Sequence, residues 1–156
     1  MRILIDADGC PVVDLTVSIA HAHQTECLIL CDTSHMFEKA GAATLIFSKG
    51  ADSVDFALVN LLRPGDIVIT QDYGLAAMCL ARQARVLNQD GMEYTDENID
   101  SLLLARHTAK KIRNSGGRLK GPSRRKPSQD EAFARALRDI LTNADTQNSQ
   151  EVPYGS

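Results

Sequence analysis

Short apolar runs alternate with helix-like segments along the first ninety or so residues, and this alternation constrains the fold more than any other feature. The runs have the length of strands, and the segments between them repeat apolar residues at three- and four-residue steps. Strands separated by helices imply right-handed crossovers and a parallel sheet covered on both faces. We therefore predict an α/β fold with three layers, α/β/α, around a mainly parallel sheet of about five strands, whose runs are ILI, ECLILCD, ATLIFS, DIVIT and ARVL.

Helical periodicity and capping residues predict the remaining elements of a single domain, residues 1–142. The segment 101–127 reads as a basic helix followed by a basic loop, and 128–142 as a last helix, in which Ser128 and Glu131 have the spacing of a capping box. The polar tail 143–156 has little to bury and is expected to be mobile. The other predicted helices cover 11–23, 36–40, 53–62, 75–83 and the stretch from Thr95 to Asn114.

Composition excludes several classes of protein. No run of about eighteen apolar residues is present, and the chain enters a strand directly after Met1 and Arg2, so we expect neither a membrane partner nor a signal peptide. The four cysteines form no Cys-x-x-Cys pair, which argues against structural zinc. We expect a cytoplasmic protein, and the sequence leaves homo-oligomerisation open.

Carboxylates follow two of the predicted strands and begin one of the helices. Asp6 and Asp8 follow the first strand, Asp72 follows the fourth, and Asp52 and Asp55 lie three residues apart at a helix start. Parallel strands all end at one edge of a sheet, where α/β folds bind their ligands. The competing interpretation is helix capping by Asp6, Asp8 or Asp52.

If these carboxylates converge, they cannot all stay ionised without a counter-ion. Mg²⁺ or Mn²⁺ is the usual solution, because these ions take oxygen ligands and can activate water at a phosphodiester. The sequence therefore predicts a site for Mg²⁺ or Mn²⁺ as cofactor.

Charge is unevenly distributed along the chain, with a basic block at residues 101–127. This block holds nine Lys and Arg and no acid, whereas residues 1–100 hold six against fifteen acids. Such a block suits sequence-independent contacts with the phosphates of RNA or single-stranded nucleic acid, although a solvated charged face would look the same. Lys49 is a further candidate phosphate ligand, and the block itself contains Arg106, Lys110, Lys111, Arg113, Arg118, Lys120, Arg124, Arg125 and Lys126.

The stretches ILIDADGCPV, SKGADSVDFAL and IVITQDYGLA, in this order, resemble the PIN-like nuclease superfamily, particularly its NYN branch. Together with DTSH and GGRLKGPSRR they are similar to the YaiI/YqxD family of uncharacterised bacterial proteins over nearly the whole chain to about residue 142. The resemblance implies a PIN-like fold and a metal-dependent nuclease. It implies catalytic and metal-binding roles for Asp6, Asp55 and Asp72, with Asp8 and Asp52 as outer or alternative ligands.

Two other functions fit the same residues. The stretch Asp6-Ala7-Asp8-Gly9 also resembles the first motif of haloacid-dehalogenase-like phosphatases, in which the first aspartate is a nucleophile and the second an acid/base, and Thr33 would then bind phosphate. A non-catalytic RNA-binding module with a PIN-like fold would keep the basic block and retain the acids for structure or metal. His35, in DTSH, is a candidate for proton transfer.

Overall fold

The computed structural model describes residues 1–32, 41–47, 53–114 and 124–150. Its strands are β1 (Arg2–Asp6), β2 (Glu26–Asp32), β3 (Ala43–Phe47), β4 (Ile67–Ile69), β5 (Arg85–Leu87) and β6 (Glu93–Tyr94). Its helices are α1 (Val13–Ala22), α2 (Ser53–Leu61), α3 (Tyr73–Ala81), α4 (Asp96–Asn114) and α5 (Pro127–Gln150). The predicted α/β class is confirmed, with six strands in place of about five.

The strand order in the sheet is β3-β2-β1-β4-β5-β6. The first five of these strands are mutually parallel, and β6 pairs antiparallel with β5. The chain moves to one side of β1 to form β2 and β3, and to the other side to form β4 and β5. The order therefore reverses between β1 and β4, and such a switch point opens a crevice outside the carboxyl ends of the two strands.

Apolar side chains cover both faces of the sheet. Helices α1 and α5 pack on one face, against alternate residues of β1, β2 and β4, and α2, α3 and α4 pack on the other. The central strands β1 and β4 are buried on both faces, which is why their sequences read as unbroken aliphatic runs. Among the helices that the structure describes, none is both long enough and apolar enough to cross a membrane.

The main differences from the predicted elements lie in the second half of the chain. Strand β6 is only two residues long, which is too short for the periodicity of apolar residues to predict it. Helix α5 begins at Pro127, so the predicted capping box is wrong: Ser128 lies inside the helix, and the Gln129 side chain accepts a hydrogen bond from the Lys126 amide instead (2.6 Å). The predicted helix at 36–40 lies outside the described residues.

Helix α5 also continues to Gln150, so residues 143–150 of the predicted tail are helical. Two contacts accompany this extension. The Asp145 carboxylate lies 3.9 Å from Nδ1 of His23, just after α1, and the Thr146 hydroxyl donates to the Thr142 carbonyl (3.0 Å). A helix held by packing over its first half can propagate through polar residues at little further cost, because only nucleation is expensive.

A buried ion pair fixes the amino end of β1. The Arg2 guanidinium donates through Nη2 to Asp66 Oδ2 (2.8 Å) and to the Leu61 carbonyl (2.6 Å), and the Arg2 amide donates to Asp66 Oδ1 (3.1 Å). Burial alone would raise the pKa of Asp66, but the hydrogen bonds from Arg2 and from the Arg63 amide outweigh it and hold that pKa below its usual value. The pair joins β1 to the connection between α2 and β4.

Candidate metal centre

Hydrogen bonds tie the carboxyl ends of β1 and β4 together. The Thr70 hydroxyl donates to Asp6 Oδ2 (2.8 Å) and accepts from the Asp72 amide (3.0 Å). The connections that follow the two strands are joined as well, because Gln71 Nε2 donates to the Gly9 carbonyl (2.8 Å). Thr70 is almost fully buried, so its hydroxyl holds the Asp6 carboxylate in one orientation at the switch point of the sheet.

Neither acid after β1 caps the helix that follows. Helix α1 has no side-chain hydrogen bond at its N-cap, Val12, so the capping interpretation of Asp6 and Asp8 is wrong. The Asp8 carboxylate accepts through Oδ2 from the Asp32 amide at the end of β2 (3.1 Å). It therefore lies at the same edge of the sheet, between the ends of β1 and β2.

Asp72, in contrast, is an N-cap. Its Oδ1 accepts from the amides of Gly74 (2.9 Å) and Leu75 (3.2 Å) in the first turn of α3. The cap fixes the carboxylate at the point where α3 leaves the sheet, directly after β4. A capping role and a ligand role are compatible here, because a carboxylate has two oxygens and several lone pairs.

The charges of three predicted acids, Asp55, Asp72 and Asp8, act on Asp6. Burial is the largest factor that raises the pKa of Asp6, from 3.8 to about 6. The hydrogen bond from Thr70 lowers this pKa, and the charges of Asp55, Asp72 and Asp8 each raise it further. Asp55 lies in the first turn of α2, which starts at the same edge of the sheet. Residues from three elements thus converge at one place, as the topology requires.

Within the described residues, no group of three or more His, Cys, Asp or Glu side chains is arranged to hold a metal ion. The acids are near enough to repel one another but do not form a closed cage. Mg²⁺ keeps several water ligands and is usually bound by one or two carboxylates together with a substrate phosphate. The acids at this edge offer carboxylate oxygens, which is the type of ligand that Mg²⁺ and Mn²⁺ take.

Because the folded pKa of Asp6 lies above the unfolded one, the native state binds the additional proton between about pH 4 and pH 6. Stability should therefore fall across this interval as pH rises, and at pH 8 ionised Asp6 should cost about 2–3 kcal/mol. In the absence of divalent metal, we expect the free energy of unfolding of Asp6→Asn, relative to wild type, to be higher at pH 8 than at pH 4 by about that amount. Urea unfolding at both pH values measures this, and an unchanged difference between the two proteins would contradict it.

Two cysteines lie near the acids, and both are held as thiols. Burial raises the pKa of Cys10 to about 11 and that of Cys79 to about 12, and the Asp6 charge contributes in the same direction at both residues. Metal ligation and nucleophilic attack both require a thiolate. We therefore assign neither cysteine a chemical role at this site.

Four of the predicted cations of the basic block belong to helix α4. Because β6 runs antiparallel to its neighbour β5, the chain enters α4 at the opposite, amino edge of the sheet. The helix packs with its first half through Ile99, Leu102 and Leu103. Its 19 residues span about 28 Å, so the helix extends well beyond these packed residues. Arg106, Lys110, Lys111 and Arg113 belong to α4, and Lys110 and Lys111 are exposed there.

The three adjacent cations before α5 differ in exposure and in ion pairing. Arg124 and Lys126 are exposed, whereas the Arg125 side chain is only 23% exposed and forms ion pairs with Asp90 and Asp130. The guanidinium is thus already bound within the protein. Five predicted site residues, together with Thr33 of the phosphatase alternative, lie outside the described residues: His35, Lys49, Asp52, Arg118 and Lys120.

Sequence reasoning missed two residues: Thr70, which contacts Asp6 and Asp72, and Asp90, which pairs with Arg125. Thr70 does stand two positions before Asp72, in the stretch ITQD, and a polar residue at the end of an aliphatic run is a usable signal. Asp90 offers no comparable signal, because its partner Arg125 is 35 residues away.

Comparison with known proteins assigns the chain to a family. Residues 4–143 match the profile of a family described as "Uncharacterized BCR, YaiI/YqxD family". The chain is 51% identical over 142 residues to a UPF0178 protein of Exiguobacterium sibiricum, covering 91% of this chain and 97% of the relative. It is 46% identical over 137 residues to a UPF0178 protein of Ruminiclostridium cellulolyticum, covering 88% and 90%. The chain therefore belongs to the YaiI/YqxD family. No solved structure matches it significantly.

Proposed function

We propose that this member of the YaiI/YqxD family is a divalent-metal-dependent nuclease of the PIN-like type that acts on RNA or other single-stranded nucleic acid. The observation that carries the proposal is that Asp6 and Asp72 share Thr70 at the switch point between β1 and β4, with Asp8 at the same edge and the charge of Asp55 also acting on Asp6. Parallel α/β folds bind ligands there, and mutual repulsion prepares the acids for a cation.

Each acid has a distinct part in the proposed reaction. Asp6 is oriented by Thr70 and Asp72 by the first turn of α3, so both present carboxylate oxygens in fixed positions. Asp55 faces them from α2, and Asp8, with Asp52, supplies outer or alternative ligands. Bound Mg²⁺ or Mn²⁺ would neutralise the charge that develops on a phosphodiester and lower the pKa of a water ligand.

The cations of the basic block support a polyanionic substrate. Lys110 and Lys111 of α4 are exposed, as are Arg124 and Lys126 before α5. Hydrogen bonds from Arg125 hold the last two beside the turn between β5 and β6. Such side chains bind phosphates without reading bases. We also propose a cytoplasmic location, because the four cysteines are free thiols and three of them are buried, which suits a reducing compartment.

The test is cleavage of an unstructured, end-labelled RNA oligonucleotide by the purified protein in Mn²⁺, in Mg²⁺ and in EDTA. We expect cleavage with either ion and none in EDTA. Binding without cleavage in any metal would favour the non-catalytic RNA-binding module and contradict the proposed activity.

Binding of beryllofluoride distinguishes the phosphatase alternative from the proposed nuclease. That mechanism forms an aspartyl phosphate on Asp6, which beryllofluoride mimics, whereas a water-activating nuclease leaves Asp6 unmodified. We expect no adduct on Asp6. A beryllofluoride group bonded to its carboxylate, together with phosphomonoester hydrolysis, would replace the nuclease proposal by the phosphatase.

A further inference from the structure

Arg125 belongs to the basic block, yet its guanidinium is bound by three acceptors of the protein. Nε donates to Asp130 Oδ1 (2.8 Å), Nη1 to Asp90 Oδ1 (2.9 Å) and Nη2 to the Gln89 carbonyl (2.7 Å). We call this arrangement the Arg125 clasp: Arg125 with the Asp90 and Asp130 carboxylates and the Gln89 carbonyl. It joins the turn between β5 and β6 to the start of α5.

Two further contacts hold the same turn against α5. Gln129 Nε2 donates to Asp90 Oδ1 (3.2 Å), so one carboxylate oxygen serves both α5 and Arg125. Gly91, with φ +85°, approaches the helix so closely that a Cβ atom would lie 2.6 Å from the Ala132 carbonyl oxygen. These contacts fix the β5–β6 turn against the start of α5, and the residues on either side of Arg125 are fixed with it.

The clasp lies beside the candidate metal centre without being part of it. The Thr70 amide donates to the Leu87 carbonyl (3.0 Å), which places the end of β5, and hence the turn, next to the end of β4. The residues that flank Arg125 in the chain are thus held at the same edge of the sheet as Asp6 and Asp72.

We propose that the Arg125 clasp is a positioning device that fixes the exposed cations Arg124 and Lys126 beside the acid cluster, where they bind the phosphates of a single-stranded nucleic acid. The inference rests on the proposed function and deepens it. Arg125 is a positioning residue and not itself a phosphate ligand. Fixing two flexible cations before binding lowers the entropic cost of the complex, so the clasp raises affinity without contacting the substrate.

The substitution Asp90→Ala distinguishes a positioning role of Arg125 from direct phosphate contact, because the two roles predict opposite changes in RNA affinity. Asp90→Ala removes a negative charge and frees Arg125, so direct phosphate contact by Arg125 would make RNA binding tighter. Positioning predicts weaker binding of an oligouridylate, by roughly five- to tenfold, and a slope of log affinity against log salt that is flatter by up to about 1.4 for two lost contacts. The KM for cleavage should rise while kcat is retained.

Asp139→Ala is the matched control, because Asp139 is exposed on α5 about 18 Å along the helix from its start. It removes the same charge and should leave affinity and salt slope unchanged. The second test is a double-mutant cycle: with Arg124 and Lys126 both changed to Ala, Asp90→Ala should have no further effect on affinity. Should Asp90→Ala fold poorly, Asp130→Ala opens the clasp from the other side, and the same results are expected.

Equal or tighter RNA binding by Asp90→Ala, or an additive effect in the cycle, would overturn the clasp and leave the proposed function standing. A wild type that shows no RNA binding at low salt would overturn the proposed function and the clasp together. The two failures are therefore distinguishable.

Discussion

Asp6→Asn and Asp72→Asn should each lower metal-dependent RNA cleavage by about 10³-fold or more, with RNA affinity unchanged or improved. Both substitutions keep the existing hydrogen bonds: an asparagine Oδ1 can still accept from Thr70 at position 6, and asparagine is an equally good N-cap at position 72. Only the negative charge is lost, and with it the ligand that a cation requires. RNA binding should not suffer, because less negative charge remains to repel phosphates.

The measurement is single-turnover cleavage beside binding of the same labelled RNA. Asp139→Asn, which removes an exposed charge elsewhere, should cleave at the wild-type rate. If the Asp6→Asn and Asp72→Asn proteins cleave at that rate too, the activity does not reside in the acid cluster, and any cleavage by wild type would have to come from another site or a contaminant.

Asp66→Asn should destabilise the fold by about 3–5 kcal/mol at pH 7, because it leaves the Arg2 charge buried without its partner. The Arg2 and Asp66 side chains are only 10% and 2% exposed, so water cannot substitute. Since the pKa of Asp66 is held below its unfolded value, its contribution is present above about pH 4 and is lost as pH falls through the folded pKa. The difference in the free energy of unfolding between the variant and wild type should therefore become smaller at acidic pH.

Denaturant unfolding at neutral and acidic pH measures both effects. Arg85 and Glu93 provide the control, because they form an ion pair at the same distance, 2.8 Å, but with side chains 48% and 34% exposed. Glu93→Gln should cost less than about 1 kcal/mol. A loss at Asp66→Asn as small as that at Glu93→Gln would show that the buried pair contributes little to stability.

The strands of the central sheet were predictable because burial on both faces leaves an unbroken aliphatic signal, as in β1 and β4. The acid-bearing edge followed from topology, since every parallel strand ends on the same side. The contact between Thr70 and Asp6 did not follow, because it requires β4 to lie directly beside β1. That adjacency is decided by crossovers over 64 residues of separation and leaves no local pattern.

The basic block shows a second limit. In the sequence, Arg124, Arg125 and Lys126 are three equivalent cations, and nothing local distinguishes the middle one. One of its two carboxylate partners, Asp90, is 35 residues away, in a turn whose position depends on the unpredicted strand β6. Whether a cation is a ligand for substrate or a tether for the fold is decided by tertiary contacts, which charge counts do not contain.

Anomalous diffraction from crystals soaked in Mn²⁺ tests most directly whether the acids at the β1/β4 switch point form a metal centre. The prediction is an anomalous peak within about 2.5 Å of carboxylate oxygens of Asp6 and Asp72, with Asp55 next to it or bridged by water. A peak on Asp6 and Asp8 alone would favour the phosphatase geometry. The absence of any peak at this edge at saturating Mn²⁺ would contradict the metal centre and the nuclease proposal that depends on it.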